Sequence, residues 1–291
     1  MAIQTNTEDF FFFTREKLFA LADQYKEQFA NAEPFQHVAI DGFLPEEFAL
    51  RIASAFPGIN DIDWRLEGPG DSVHTGDKNV EKVTTGDEEK FPPLVRLMMM
   101  QFQSGVFCQF LNRLTGYSGL MGDPNNFGCG LHSTGNGGRL MLHLDASRHP
   151  NKDLNQLINV IFYCTPDWQD SYAGGLELWD SDAKHCVTTV APRFNRLAIF
   201  KVSGKSWHGH PHPVQCPPEI RRNSMALYYY TTDKEATGYE YANFVKWKSV
   251  TPHDKQTMVH RVKAVIRSTL PVSVINSLAK FARVTGLNFK K

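Results

Sequence analysis

Leu140-Met141-Leu142-His143-Leu144-Asp145 is a short, almost wholly apolar run closed by a carboxylate, the texture of a buried β-strand rather than of a helix. Runs of the same kind follow at residues 157–163, 176–179, 186–190, 197–202 and 224–231, most of them separated by Gly, Asn, Asp or Pro. Short strands at such close spacing predict an antiparallel sandwich or barrel, not a βαβ sheet. Upstream the period changes. Leu18, Leu21, Tyr25 and Phe29 recur at steps of three and four, and so predict a helix. A second helix starts at Leu44-Pro45-Glu46-Glu47, carries Phe48, Ile52 and Phe56, and is stopped by Pro57-Gly58. A third is expected from Pro92-Pro93 to about Leu114, with the Met98-Met99-Met100 run as core filler. Residues 59–91, rich in glycine and charge, read as a long loop.

With 291 residues, 42% hydrophobic and 21% charged, the chain can bury a large core, which excludes disorder as its main state. Thirty-one basic residues balance thirty-one acidic ones, so no overall basic field draws it to nucleic acid. The opening MAIQTNTEDFFFF lacks the basic flank and long apolar stretch of a secretion signal, and no window is apolar enough to span a membrane. Cys108, Cys129, Cys164, Cys186 and Cys216 are odd in number and form no CxxC pair, so they are expected as mostly buried free thiols in a reducing, cytoplasmic setting. The neutral total hides an asymmetry: residues 234–291 hold eleven basic and three acidic residues, leaving the rest net acidic.

His143 and Asp145 stand two apart on an extended chain and therefore project to one face. Two histidines and one carboxylate on one side of a metal leave positions open for other ligands, the facial arrangement of non-haem iron oxygenases. The further histidine is to be found in Ser206-Trp207-His208-Gly209-His210-Pro211-His212. Beyond it, Arg221-Arg222-Asn223-Ser224 opens the last apolar strand, where an arginine at a barrel mouth can grip a carboxylate through two hydrogen bonds.

Taken in order, H-x-D, Tyr163-Cys164-Thr165-Pro166-Asp167-Trp168, Gly174-Gly175-Leu176-Glu177-Leu178, Asn195-Arg196-Leu197-Ala198-Ile199-Phe200, S-x-H-G and R-x-S resemble the 2-oxoglutarate and Fe(II)-dependent dioxygenases of the prolyl 4-hydroxylase-like branch. The resemblance covers about residues 35–232. It implies a mainly β fold with flanking α, a double-stranded β-helix or jelly roll with its metal ligands at the open end. The implied organisation is an N-terminal helical support region with a long loop over 1–126, a catalytic core over 127–233 and a basic helical C-terminal extension over 234–291.

Position by position, His143, Asp145 and His208 match the iron ligands. His208 stands twelve residues after Arg196, as in the family, but Pro213 and Val214 lie one residue later than the pattern has them, so His210 stays open as the third ligand. Arg222 matches the anchor of the distal carboxylate of 2-oxoglutarate; Tyr163 matches a tyrosine that reaches the co-substrate in some relatives, and Asn159 on the same strand face could point into that cavity. His132 and Trp179 flank the expected mouth. His149, His185, His253 and His260 read as surface residues.

The resemblance further implies Fe(II), 2-oxoglutarate as co-substrate, O2, ascorbate as a supporting reductant, and hydroxylation of a small-molecule or peptidyl substrate with release of succinate and CO2. Because Asp145 is retained, hydroxylation is expected over halogenation. The other readings are an inactive metal-binding or sensing jelly roll and a Zn2+-dependent cupin-like isomerase or hydrolase. In the tail, Val262, Val265, Ile266 and Thr269, then Val274, Ile275, Leu278 and Phe281, follow helical spacing among basic residues. This segment is expected either to pack on the catalytic core or to touch an anionic surface.

Overall fold

A computed structural model describes residues 13–66, 82–233 and 245–251. Four helices, α1 (Arg15–Ala30), α2 (Glu46–Ala55), α3 (Pro93–Phe102) and α4 (Gly105–Thr115), precede most of the sheet. The strands are β1 (His37–Ile40), β2 (Arg65–Leu66), β3 (Lys82–Thr85), β4 (Met121–Gly122), β5 (Gly130–Thr134), β6 (Leu140–Leu144), β7 (Asn155–Tyr163), β8 (Leu176–Trp179), β9 (Cys186–Val190), β10 (Leu197–Lys201), β11 (His208–His210), β12 (Arg222–Thr231) and β13 (Lys246–Lys248). They form two antiparallel sheets, a large one ordered β1-β10-β7-β12-β5-β3-β2 with β4 beside β12, and a small one ordered β13-β6-β11-β8-β9. This is the expected jelly roll.

Alternation along the large sheet separates two cores. Ile158, Val160 and Phe162 of β7, Leu197 and Ile199 of β10 and Met225, Leu227 and Tyr229 of β12 join a cluster with Leu18, Phe29, Ile52, Phe102 and Phe107 of the helices. The opposite face of the same strands gives Tyr163, Ala198 and Phe200, which meet Leu176, Leu178 and Val190 of the small sheet inside the barrel. Period-two side chains therefore put the helices on the outer face and reserve the inner face for the site.

The structure corrects several local expectations. Residues 59–91 are not all loop, because β3 pairs with β5 and with β2, extending the large sheet into the N-terminal region. The single helix expected to about Leu114 is two: Ser104 caps α4 by accepting from the Phe107 N–H, and α4 ends at Gly116 in the left-handed conformation. In the methionine run, Met98 and Met99 are buried whereas Met100 is exposed. Four of the cysteines are buried free thiols and Cys186 is exposed. His149 is not a surface residue but buried, its Nε2 3.1 Å from Asp123 Oδ2, with Lys152 Nζ donating to the other oxygen at 2.6 Å. His253, His260 and the helical stripe expected in the tail lie outside the described residues, and no helix among the described residues is long and apolar enough to cross a membrane.

Candidate metal centre

Strands β6 and β11 run side by side in the small sheet, and His143 and His208 are direct Cα partners across them. Asp145 lies just past the end of β6. One ligand atom from each of His143, Asp145 and His208 falls within 4.8 Å of the others, and all three residues are buried. His143 Nδ1 donates to the Met141 carbonyl at 2.8 Å and His208 Nδ1 to the Ser206 carbonyl at 2.9 Å. Each bond fixes the tautomer and leaves a bare Nε2, the usual way in which a neighbouring carbonyl orients a metal-binding imidazole. Those nitrogens stand 3.4 and 3.6 Å from the two Asp145 oxygens. Lone pairs thus face a carboxylate, an arrangement that a divalent cation stabilises, and the N2O donor set fits iron.

The charge balance agrees. Burial pushes the Asp145 pKa up, but the His208 and His143 rings and the Asn159 hydrogen bond outweigh it and hold the carboxyl well below its ordinary range. His208 is pushed down to about 4, first by burial and then by His143, against the pull of Asp145, so its ring is neutral and able to ligate at neutral pH.

Of the other histidines proposed from sequence, His212 stands outside, 3.7 Å from Glu177 Oε1 with most of its side chain exposed. His210 is buried but apart from the converging ligand atoms, because a register shift between His208 and His210 pairs the latter with Leu140. Burial is the main cause that holds its pKa well below the ordinary value, followed by the charges of Arg222, Lys82, His143 and His132.

Arg222 and Arg221 separate as strand alternation requires. Arg222 enters the barrel at 5% exposure, donating through Nε to the Gly174 carbonyl at 2.7 Å and through an Nη to Tyr163 Oη at 3.2 Å. Arg221 turns to the other face and bonds Ser133 Oγ. Glycine is needed at 174: its φ is +70°, and a Cβ there would come within 2.9 Å of Val214 and 3.2 Å of the Arg222 Cδ. Burial lowers the Arg222 pKa, with Tyr163 opposing, while burial raises that of Tyr163 against the Arg222 charge.

Asn159 shares the inner face of β7, where it meets Asp145. Its Nδ2 donates to Asp145 Oδ2 at 2.6 Å, and Gln156 Nε2 donates to Asn159 Oδ1 at 2.7 Å. Strand register explains this, since Asn159 lies at the level of the ligands, opposite Phe200, whose ring is 4.7 Å from that of His208. Asn159→Ala is expected to weaken Mn(II) or Fe(II) binding about tenfold, the lower end of what partners behind a ligand contribute. Equilibrium dialysis measures it. His132 is half-buried on β5 with Ser224 as its partner, and Trp179 bonds Glu177 through its indole N–H. Trp247 was missed: it is the Cα partner of His143 on β13, its ring 4.7 Å from the imidazole. The only signal was the short alternation Lys246-Trp247-Lys248 inside a segment read as a basic tail.

No curated protein matches the chain. Residues 129–230 match the model of the 2OG-Fe(II) oxygenase superfamily, a span that holds β5 to nearly the end of β12 and, with them, His143, Asp145, Asn159, Tyr163, His208 and Arg222, but not Trp247. Similar solved structures include a prolyl hydroxylase from Trichoplax adhaerens in complex with a hypoxia inducible factor peptide fragment, at 17% identity over 77% of this chain and 94% of that one, with a TM-score of 0.47. A viral collagen prolyl hydroxylase from Paramecium Bursaria Chlorella virus-1 aligns at 12% identity over 69% and 99%, with a TM-score of 0.42. A Pseudomonas putida prolyl-4-hydroxylase aligns at 16% over 74% and 98%, with a TM-score of 0.36.

Proposed function

Starting from a 2OG-Fe(II) oxygenase domain over residues 129–230, we propose that the protein holds Fe(II) with His143, Asp145 and His208, seats 2-oxoglutarate against Arg222, and hydroxylates a C–H bond of a second substrate. The observation that carries this reading is Arg222: a nearly fully buried guanidinium with no carboxylate partner among the described residues, inside the same barrel as the triad. An unpaired buried charge is costly, and its planar fork suits a carboxylate. A site for a metal alone has no use for such a group, which disfavours the inactive and zinc-dependent alternatives.

Iron held by His143, Asp145 and His208 would supply the oxidising chemistry, by which one oxygen atom of O2 would go to the substrate and the other to the 2-oxo acid, giving succinate and CO2. The chain positions and insulates. The Asp145 carboxylate offsets the cation's charge and is held in place by Asn159 and Gln156. Arg222 sets where the distal carboxylate lies and hence where the oxo-acid end meets the metal. Phe200, Leu178 and Leu176 exclude water from the inner side of the barrel. In this reading, 1–126 supports a catalytic core over 127–233, with 234–291 as an extension.

The test supplies Fe(II), ascorbate and 2-oxoglutarate and screens fractionated cell extract by mass spectrometry. The expected result is O2-dependent succinate together with a product one oxygen atom heavier than its precursor. Succinate no higher than without protein, in every fraction, would overturn the proposal.

A further inference from the structure

A strand that follows the matched domain brings a side chain to the metal centre. β13 is the outermost strand of the small sheet, and its Trp247 is paired with His143 of β6. Directly opposed residues of antiparallel strands project to the same face, so the indole shares the inner side with the imidazole. Rings then stand in a row: Phe200 lies 4.7 Å from His208, His208 4.3 Å from His143, and His143 4.7 Å from Trp247. Phe200 is 1% exposed and closes the row inside the barrel, whereas Trp247 is 36% exposed and ends it at the edge of the sheet.

A single exposed apolar side chain is ordinary on a protein surface, but two features set this one apart. The strand is held without the indole, because Lys246 and Lys248 pair with Leu144 and Leu142, and Lys248 Nζ donates to the Asp182 carbonyl at 2.5 Å and lies 5.9 Å over the Trp207 ring. The indole also rests on a residue of the triad, so its uncovered part borders the space beside the ligands. An indole presents a broad, rigid apolar face at little cost in conformational entropy. That face carries no charge to pair with a carboxylate, and the lysines on either side of it in the chain oppose a cation. The group it suits is uncharged and rich in C–H bonds, and holding such a group in one place beside the reacting centre is what positioning requires.

We propose that Trp247 is a substrate-contact residue that sets specificity: its open indole face receives an uncharged, C–H-rich group of the second substrate and holds it beside the triad. The inference rests on the hydroxylase reading above and adds to it a determinant outside residues 129–230.

The test uses the full-length protein with 5-fluorotryptophan at its five tryptophans. Its probe is the cell-extract fraction from which the wild-type protein forms an oxygenated product. In the anaerobic, Zn(II)-loaded protein, the fluorine NMR line that disappears in Trp247→Phe is expected to shift when the fraction is added, while the other tryptophan lines stay in place. With Fe(II) and O2, Trp247→Ala should form about tenfold less product from a limiting amount of the fraction, the size of one aromatic contact. Trp247→Phe, which keeps an aromatic face, should recover most of that loss. Mn(II) affinity should match the wild type in both variants. Weaker Mn(II) binding in Trp247→Ala would overturn the proposal by making the indole a prop for His143. Wild-type product formation in Trp247→Ala, or an unmoved Trp247 line, would overturn it while leaving the hydroxylase reading intact. If no fraction gives the wild-type protein both O2-dependent succinate and an oxygenated product, the hydroxylase reading fails and the contact with it. Trp247→Leu keeps apolar bulk at the sheet edge and repeats the measurement should Trp247→Ala fail to fold.

Discussion

Alanine at Asp145 is expected to strip iron from the protein and abolish 2-oxoglutarate turnover, with metal affinity lower by at least a hundredfold. Two imidazoles remain, their ring centroids 4.3 Å apart, but the sole anionic ligand of the triad is gone. Removing one partner from a buried charge-paired site costs about 3–5 kcal/mol, which at about 1.4 kcal/mol per decade is two to three orders of magnitude. His143→Ala and His208→Ala should behave alike, because each deletes a nitrogen held in place by its own carbonyl acceptor. His210→Ala should keep its metal. Metal content after dialysis and succinate formation are the measurements. Full metal content in His208→Ala together with loss in His210→Ala would move the third ligand two residues along.

That comparison marks where sequence stopped being informative. His143 and Asp145 were legible because a period of two needs only the local chain, and the same rule separated Arg222 from Arg221. Both His208 and His210 also obey it and both are buried. What distinguishes them is a slip in the pairing of β11 with β6, which depends on the partner strand and leaves no mark in the histidine segment itself. Strand β3 was hidden for a related reason: its inner face bears Lys82 and Thr84 because it lines a polar chamber, so hydrophobic alternation is missing where the site needs polar groups. The burial of His149 depends on Asp123, 26 positions away, and such pairs have no local signature. The boundary between α3 and α4 fell inside a continuous helical stripe, and only the Ser104-Gly105 cap betrays it.

For Arg222→Ala the expected result is a rise of roughly 30-fold or more in the 2-oxoglutarate KM with metal content unchanged. Truncating one partner of a buried, hydrogen-bonded charge pair costs about 2–5 kcal/mol, and about 1.4 kcal/mol corresponds to a decade. The guanidinium is already braced through Gly174 and Tyr163, so it is pre-organised and little binding energy goes into ordering it. Arg222→Lys should recover only part of the loss, because an ammonium keeps the charge but not the planar pair of donors. Deleting the side chain also leaves the Gly174 carbonyl without its partner, so thermal unfolding must be followed beside the kinetics to separate a binding loss from a folding one. Arg221→Ala is the internal control: Arg221 sits one residue away, turned outward onto Ser133, and should leave the KM within experimental scatter. An unchanged KM in Arg222→Ala would remove the anion site from this chamber, and with it the observation that favours an oxygenase over a site for metal alone.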